Sequence, residues 1–253
     1  MNHYTIPNLV KAVDILHLLS SHPQGLSAVS IEKRVAVPRT TAFRILKTLL
    51  SIGMVKKEGS TYVAGPGLVE IGLNTLNQLE IRQLAVPVIQ GLTEETGYTS
   101  HLAVPSGDRS LIVEVCDSPH PVRVTSRSGA SVSMHCSATG KVFLSYLYAD
   151  CLADHLHDTH LQARTANTLV NFSDIQRMIQ DVLKSGYAVD DREYHDDIRC
   201  LAAPVFNLND QVTAAIGIIA PINHFQKTKI PVVSKAVIDA ARQLSEMLGA
   251  SKS

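Results

Sequence analysis

Arg39, Thr40, Thr41, Arg44 and Lys47 crowd three cations and two hydroxyls into one short stretch. Guanidinium groups can pair with guanine edges or phosphates, and hydroxyls can reach either, so the chemistry this group offers is recognition of a polyanion. A second group, Ser137, Ala138, Thr139 and Gly140, consists of small residues just before an apolar run. At the start of a helix their backbone N–H groups and a hydroxyl converge, which makes a seat for a carboxylate. The third group, Asp190, Glu193, His195 and Cys200 within VDDREYHDDIRC, mixes carboxylates, imidazole and thiol. Asp190, His195 and Cys200 with His135 or Cys136 could hold zinc, and Cys200 with His195 and Asp190 could act as a thiol hydrolase. Free cysteine is also commonly a small buried apolar residue, and Asp191, Asp196 and Asp197 read as a solvated turn. His155, His157 and His160 form a further cluster, but residues two apart diverge on a helix, which weighs against a metal.

The first group needs a helix to present it. Ala42, Ile45, Leu46 and Leu49 recur at i, i+3, i+4 and i+7, so Val37 to Leu50 is expected to be a helix with one apolar stripe and a polar opposite face. Pro38 suits the first helical position, which puts Arg39, Thr40 and Thr41 in the first turn. Upstream, Leu9 to about Ser20 reads as a helix with Leu9, Ala12, Val13, Leu16 and Leu19 inward, closed by SHPQG. Leu26 and Ile31 bracket Ser27 at the spacing of a hydrophobic staple, so Ser27 should cap a short helix reaching Val35. MVKKEGSTYVAGP then reads as two short strands about Glu58-Gly59-Ser60, with Lys56 and Lys57 beside a phosphate backbone. Helix, helix, basic helix and hairpin is the order of a winged helix-turn-helix.

Charge distribution agrees. The 253 residues carry equal numbers of acidic and basic side chains, yet residues 1–79 hold eight Lys/Arg against four Asp/Glu, and residues 80–253 hold 15 against 19. The basic excess sits with the helix carrying Arg39 and Lys47 rather than over the whole chain. Four cysteines without a CxxC pair, and no long apolar run, point to a reduced cytoplasmic setting and no membrane span. From Glu80 onward the pattern mixes strands and helices without βαβ alternation, which favours an α/β mixed (α+β) unit with a mainly antiparallel sheet flanked by helices. An amphipathic helix should run from near Glu80 to Gly97, followed by β-rich runs SHLAV, LIVEVCD and VRVTS. Helices are expected at Gly140 to Leu147, Asp150 to Leu156, Phe172 to Ser185 and about Val232 to Leu248. Strands are expected at Arg199 to Phe206 and Val212 to Ala220, and the GASKS tail should fray.

The stretch LSAVSIEKRVAVPRTTAFRILKTLLSIGMVKKEGSTYVAGPGLVEIG resembles the DNA-binding domain of the IclR family of bacterial transcriptional regulators, including the Pro-Arg-Thr-Thr opening and the Gly-Pro that ends the wing. HCSATGKVFLSYL and GYAVDDREYHDDIRCLAAPVFN resemble the second, GAF-like domain of the same family, so the likeness covers nearly the whole chain. The resemblance implies a winged helix-turn-helix over 1–66, a linker helix over 67–79 and an effector-binding GAF-like domain over 80–253. It implies operator DNA, roughly palindromic, held by Ser27, Arg39, Thr40, Thr41, Arg44, Lys47, Lys56 and Lys57. The linker helix has only a modest stripe of Leu68, Ile71 and Thr75, and is expected to pack on a partner subunit in a homodimer or dimer of dimers.

The effector pocket implied by the resemblance comprises Ser137, Ala138, Thr139, Gly140, Asp190, Glu193, Ile198 and Cys200, with Val124 on a strand and Val132 in a loop walling it. One stretch departs from the family. Where many members carry serines before the final Pro, this chain has Ile216-Gly217-Ile218-Ile219-Ala220-Pro221, so Gly217 leaves space and Ile219 adds apolar surface. That departure suggests an acid with one carboxylate and a larger or less polar body. The reading is of a cytoplasmic repressor of a catabolic operon that senses a small organic acid, not an enzyme, with no cofactor and no resident metal. A thiol hydrolase and a ligand-free DNA scaffold stand as the alternatives.

Overall fold

In the computed structural model, which describes residues 5–157 and 161–251, the chain divides into two compact units, Met1–Gln78 and Leu79–Ser253. The first contains α1 (Pro7–Ser20), β1 (Leu26–Ser27), α2 (Ala28–Val35), α3 (Arg39–Ser51), β2 (Val55–Glu58), β3 (Thr61–Ala64) and α4 (Pro66–Asn77). Its three strands pair antiparallel in the order β1-β3-β2. The core joins Ile15 and Leu19 of α1, Ile31 of α2, Ala42, Ile45, Leu46 and Leu49 of α3, and Val55 and Tyr62 of the hairpin. The α3 stripe is thus the one its spacing predicts. The α1 stripe is not: Leu9 and Val13 are 61% and 44% exposed while Ile15 is fully buried. In a helix apolar on most of its faces, spacing alone cannot choose between neighbouring stripes, and packing on α2 and α3 does.

Local signals account for the boundaries. The Ser27 hydroxyl caps α2 by accepting the Ser30 N–H at 3.2 Å. Ala36 ends α2 in the left-handed region, φ 51, a conformation that costs a non-glycine residue roughly 1–2 kcal/mol. Pro38 has an extended ψ of 142 and is the N-cap of α3, one residue earlier than the expected first helical position. Its carbonyl accepts the first helical bond, from Ala42 N–H at 3.0 Å. After the hairpin, the chain passes so close to the turn after α3 that a Cβ at Gly65 would collide with the backbone of Gly53, Met54 and Val55. α4 buries no residue within its unit and leaves Val69, Ile71 and Leu73 more than half exposed.

The second unit contains α5 (Glu80–Thr96), β4 (Thr99–Ser106), β5 (Arg109–Cys116), β6 (Ser131–Ser133), α6 (Ala138–Leu147), α7 (Leu152–His157), α8 (Phe172–Ser185), β7 (Ala188–Asp191), β8 (Ile198–Phe206), β9 (Val212–Pro221) and α9 (Ile230–Met247), with 3-10 turns at Ala149–Cys151 and Lys227–Lys229. One six-stranded sheet, ordered β6-β5-β4-β9-β8-β7, is antiparallel throughout. Alternation along the strands assigns its faces. Ala103, Cys200, Ala202 and Ala215 join Val142 and Phe143 of α6 and Ile175 and Ile179 of α8 in one core. On the opposite face the Ser100 hydroxyl donates to the Ile89 carbonyl of α5 at 2.6 Å, and α9 presents Ser245 to the backbone of Phe206.

Two expectations fail here. VRVTS is irregular rather than a strand, and the short strand at this edge is β6, so Val124 lies in a loop and Val132 in a strand, the reverse of the reading from sequence. A β-branched run favours a strand only where a partner edge meets it, and β5 pairs with β6 instead. Of the GASKS tail, residues 252–253 lie outside the described residues. No helix among those described is long and apolar enough to cross a membrane.

Candidate functional site

The outer face of α3 is built by subtraction: the buried stripe leaves Arg39, Thr40, Arg44 and Lys47 exposed and Thr41 half-buried. Arg39, Thr40 and Thr41 occupy the first turn, the end by which a recognition helix enters a major groove. Phe43 shares this surface at 53% exposure, with the Lys47 ammonium 5.5 Å from its ring centre. Ser27 stands apart, since its hydroxyl is already engaged in capping α2. Lys56 and Lys57 are consecutive on β2 and therefore point to opposite faces of the hairpin. Lys57 lies over the Tyr62 ring, 5.9 Å from its centre, which leaves Lys56 facing the other way.

The second unit encloses a cavity of about 330 Å³ between the sheet and the start of α6, large enough for a small organic molecule. Val124, Val132, Ser137, Ala138, Thr139, Asp190, Ile198, Cys200 and Ile219 line it. Gly140, Glu193 and Gly217 do not. A Cβ at Gly140 would strike the Met134 backbone, so that glycine serves the packing of α6. Glu193 turns away to form a buried ion pair with Lys141, whose ammonium also donates to the Val189 carbonyl at 2.9 Å. The space left by Gly217 is filled from the neighbouring strand: a Cβ there would lie 2.9 Å from Nε2 of His101.

At the α6 end, the Ser137 hydroxyl accepts the Gly140 N–H at 3.3 Å and donates to the Ser133 carbonyl at 2.7 Å. The hydroxyls of Thr139 and Ser110 share a 2.8 Å hydrogen bond. The side-chain oxygens are thus engaged within the protein, and what the helix start offers an anion is its backbone N–H groups and its positive dipole end. Asp190, also in the cavity lining, accepts the Glu193 and Tyr194 N–H groups through Oδ1, at 2.7 and 3.2 Å. Its Oδ2 is buried, and the Cys200 thiol hydrogen-bonds the same carboxylate. Burial pushes the Asp190 carboxyl up to about 6, against the opposing effect of the Glu193 N–H.

Sequence reading missed His101, Tyr194 and the loop residues Thr125, Ser126 and Arg127, all of which line the cavity. Tyr194 could have been suspected from its place between Asp190 and His195. His101 and Arg127 carry no local signal, because strand pairing and a loop bring them in from 89 and 63 residues before Asp190.

The thiol-hydrolase arrangement does not assemble. His195 is exposed, its Nδ1 accepting the Asp197 N–H, while burial and then the neighbouring Asp190 push the Cys200 thiol well above its ordinary range. A thiol so far from its thiolate is a poor nucleophile. Among the described residues no three His, Cys, Asp or Glu side chains are grouped to hold a metal ion. Of the His155 cluster, His160 and the side chain of His157 lie outside the described residues, and His155 stacks on Tyr148 with ring centres 3.8 Å apart.

A winged helix with an exposed basic third helix, joined to a unit with an internal cavity, defines the class of DNA-binding regulators that carry a second domain. Comparison with known proteins narrows the class. Residues 8–59 match the IclR helix-turn-helix domain, and residues 73–246 match the C-terminal domain of bacterial transcriptional regulators of the IclR type. The chain belongs to the IclR family, and is a non-enzymatic, DNA-binding transcriptional regulator. It is 26% identical over 248 residues to the transcriptional repressor IclR of Escherichia coli K12, covering 96% of this chain and 90% of that one. It is similar to the solved IclR of Thermotoga maritima, with a TM-score of 0.70, 27% identity, and 97% and 100% coverage of the two chains. The fold is also shared with an IclR homologue of Microbacterium hydrocarbonoxydans solved with 4-hydroxybenzoate, at a TM-score of 0.77, 19% identity, and 95% and 98% coverage.

Proposed function

We propose that the chain is a cytoplasmic repressor of a catabolic operon, and that a small organic acid in the second unit's cavity controls its grip on the operator. The observation that carries this reading is the cavity itself: about 330 Å³, with a helix N-terminus at one side and the exposed Arg127 among its lining residues. The acid's carboxylate would take the Ala138 and Thr139 N–H groups. Ile112, Val124, Ala130, Val132, Ile198 and Ile219 would enclose an apolar body, in keeping with an acid larger than a two- or three-carbon oxoacid. Arg39, Thr40, Thr41, Arg44 and Lys47 would hold each half of a roughly palindromic operator, in a homodimer or dimer of dimers. Ligand shifts the DNA-binding equilibrium only by the difference in its affinity for the two states, so the acid must bind the free and DNA-bound forms unequally.

The test is a gel shift of the full chain with the promoters flanking its gene, with and without a panel of organic acids, alongside calorimetry of the same acids. Operator binding altered by an acid that also binds calorimetrically supports the reading. Operator binding indifferent to every acid favours a ligand-free scaffold, and a clear preference for two- or three-carbon oxoacids contradicts the larger apolar body.

A further inference from the structure

The polar face of α3 carries one residue that neither the core nor hydrogen bonding to DNA accounts for. Thr40, Phe43, Arg44 and Lys47 are exposed and recur at i, i+3, i+4 and i+7, the same spacing as the buried Ala42, Ile45, Leu46 and Leu49 on the other side of the helix. They form one outward ridge. That spacing is the one by which a single helix lays successive turns against base edges in a major groove. Three of the four side chains can hydrogen-bond a base or a phosphate. Phe43 cannot, yet it is 53% exposed in the middle of the ridge.

The ring is steadied where it stands. Lys47 follows one turn later, and its ammonium lies over the Phe43 ring, 5.5 Å from the centre. Arg39 one turn before, Arg44 beside it and Lys47 above it surround the phenyl with positive charge. An apolar protein surface placed on this ring would bury those cations without partners, whereas a DNA duplex supplies phosphates for them. What a phenyl can meet inside the groove follows by elimination. Guanine, adenine and cytosine present donors and acceptors there, which the ring would strip of water and leave unpaired. Thymine adds an apolar group, its C5 methyl.

Resting on the reading that α3 enters the operator's major groove, we propose that Phe43 is a specificity-determining residue that reads the methyl group of a thymine in each half-site. The arginines, lysine and threonine around it position the helix and pair with phosphates and other base edges, and Phe43 adds a contact that depends on one methyl. Burying one methyl is worth about fourfold in affinity. Cytosine at the same place costs more, because its amino group also loses water with no acceptor to replace it.

The experiment uses the full-length chain and an operator selected from random-sequence duplexes, with affinities read by fluorescence anisotropy. Each thymine of a half-site is replaced in turn by deoxyuridine, which removes the methyl and leaves base pairing intact. One position should lose about fourfold in affinity per half-site. Phe43→Ala should bind the thymine and deoxyuridine duplexes equally at that position, while keeping the parent protein's response at every other. Phe43→Leu, which keeps an apolar side chain, should retain part of the distinction and serves as the second variant should Phe43→Ala fail to fold. The assignment is overturned if no deoxyuridine substitution weakens binding, or if Phe43→Ala weakens all duplexes alike and keeps every deoxyuridine penalty. Arg44→Ala separates that failure from a wrong placement of the helix. If it too leaves operator affinity unchanged, α3 does not enter the groove, and the reading on which this one stands is removed with it.

Discussion

Asp190 and His101 share a cavity wall and are displaced by the same cause, burial, with opposite consequences. Asp190 is raised from 3.8 to about 6, so the folded state binds the extra proton, and its contribution to stability is fullest below about pH 4 and lost as pH rises through about 6. His101 is lowered from 6.5 to about 4, so the unfolded state binds the extra proton, and stability is lost as pH falls from about 6.5 towards 4. Over the shared window the two oppose each other. Relative to the parent protein, Asp190→Asn should therefore gain stability as pH rises from about 4.5 to 6.5, and His101→Gln should lose it, each by on the order of 1–3 kcal/mol. Urea melts at the two pH values check the signs, and parallel profiles for all three proteins would contradict them. On the DNA side, Arg44 is exposed and contributes nothing to the core. Arg44→Ala should leave the melting temperature unchanged and weaken operator binding by about 10- to 100-fold, as expected for loss of one arginine contact to a base; anisotropy with a labelled operator measures this.

At the scale of elements, the turn from α2 into α3 and the wing both carry consequences. Ala36 holds a left-handed conformation that glycine adopts without penalty, and the Val37 side chain beyond it is buried. Ala36→Gly should stabilise the first unit by about 0.5–1 kcal/mol and raise its melting midpoint by several degrees without altering operator affinity. On the wing, strand alternation separates two lysines that look equivalent in sequence. If Lys56 alone faces phosphate, Lys56→Ala should lower operator affinity and flatten its salt dependence, while Lys57→Ala should change neither. Binding titrations over a range of salt concentrations distinguish them, since each phosphate contact contributes about 0.9 to the log–log slope.

For the whole molecule, α4 is the element whose stability its own unit does not explain. Twelve residues with none buried form a helix that water alone would not hold, and Val69 and Leu73 stand one turn apart on its surface. A second copy of the chain is the partner this surface fits under the proposed function. The paired substitution Val69→Glu with Leu73→Glu should convert a dimer to monomers in sedimentation experiments. It should cut operator affinity sharply, because two linked half-sites are lost, and leave acid binding intact, because the cavity lies wholly within the second unit.

The sequence by itself determined what is local: the apolar stripe that turns Arg39, Arg44 and Lys47 outward, the Ser27 cap, the Gly97 and Gly186 stops of α5 and α8, and the small residues opening α6. These follow from period, capping chemistry and left-handed backbone positions, which neighbouring residues decide among themselves. Tertiary structure decided the rest of the cavity. The gap at Gly217 was visible in the sequence, but that His101 fills it depends on β4 pairing with β9 across more than a hundred residues. The same holds for Glu193, which a linear motif groups with Asp190 but which Lys141 draws into a buried ion pair away from the cavity. Register between distant strands and the choice of partner for a buried charge are settled by packing in three dimensions, and no short-range pattern encodes either.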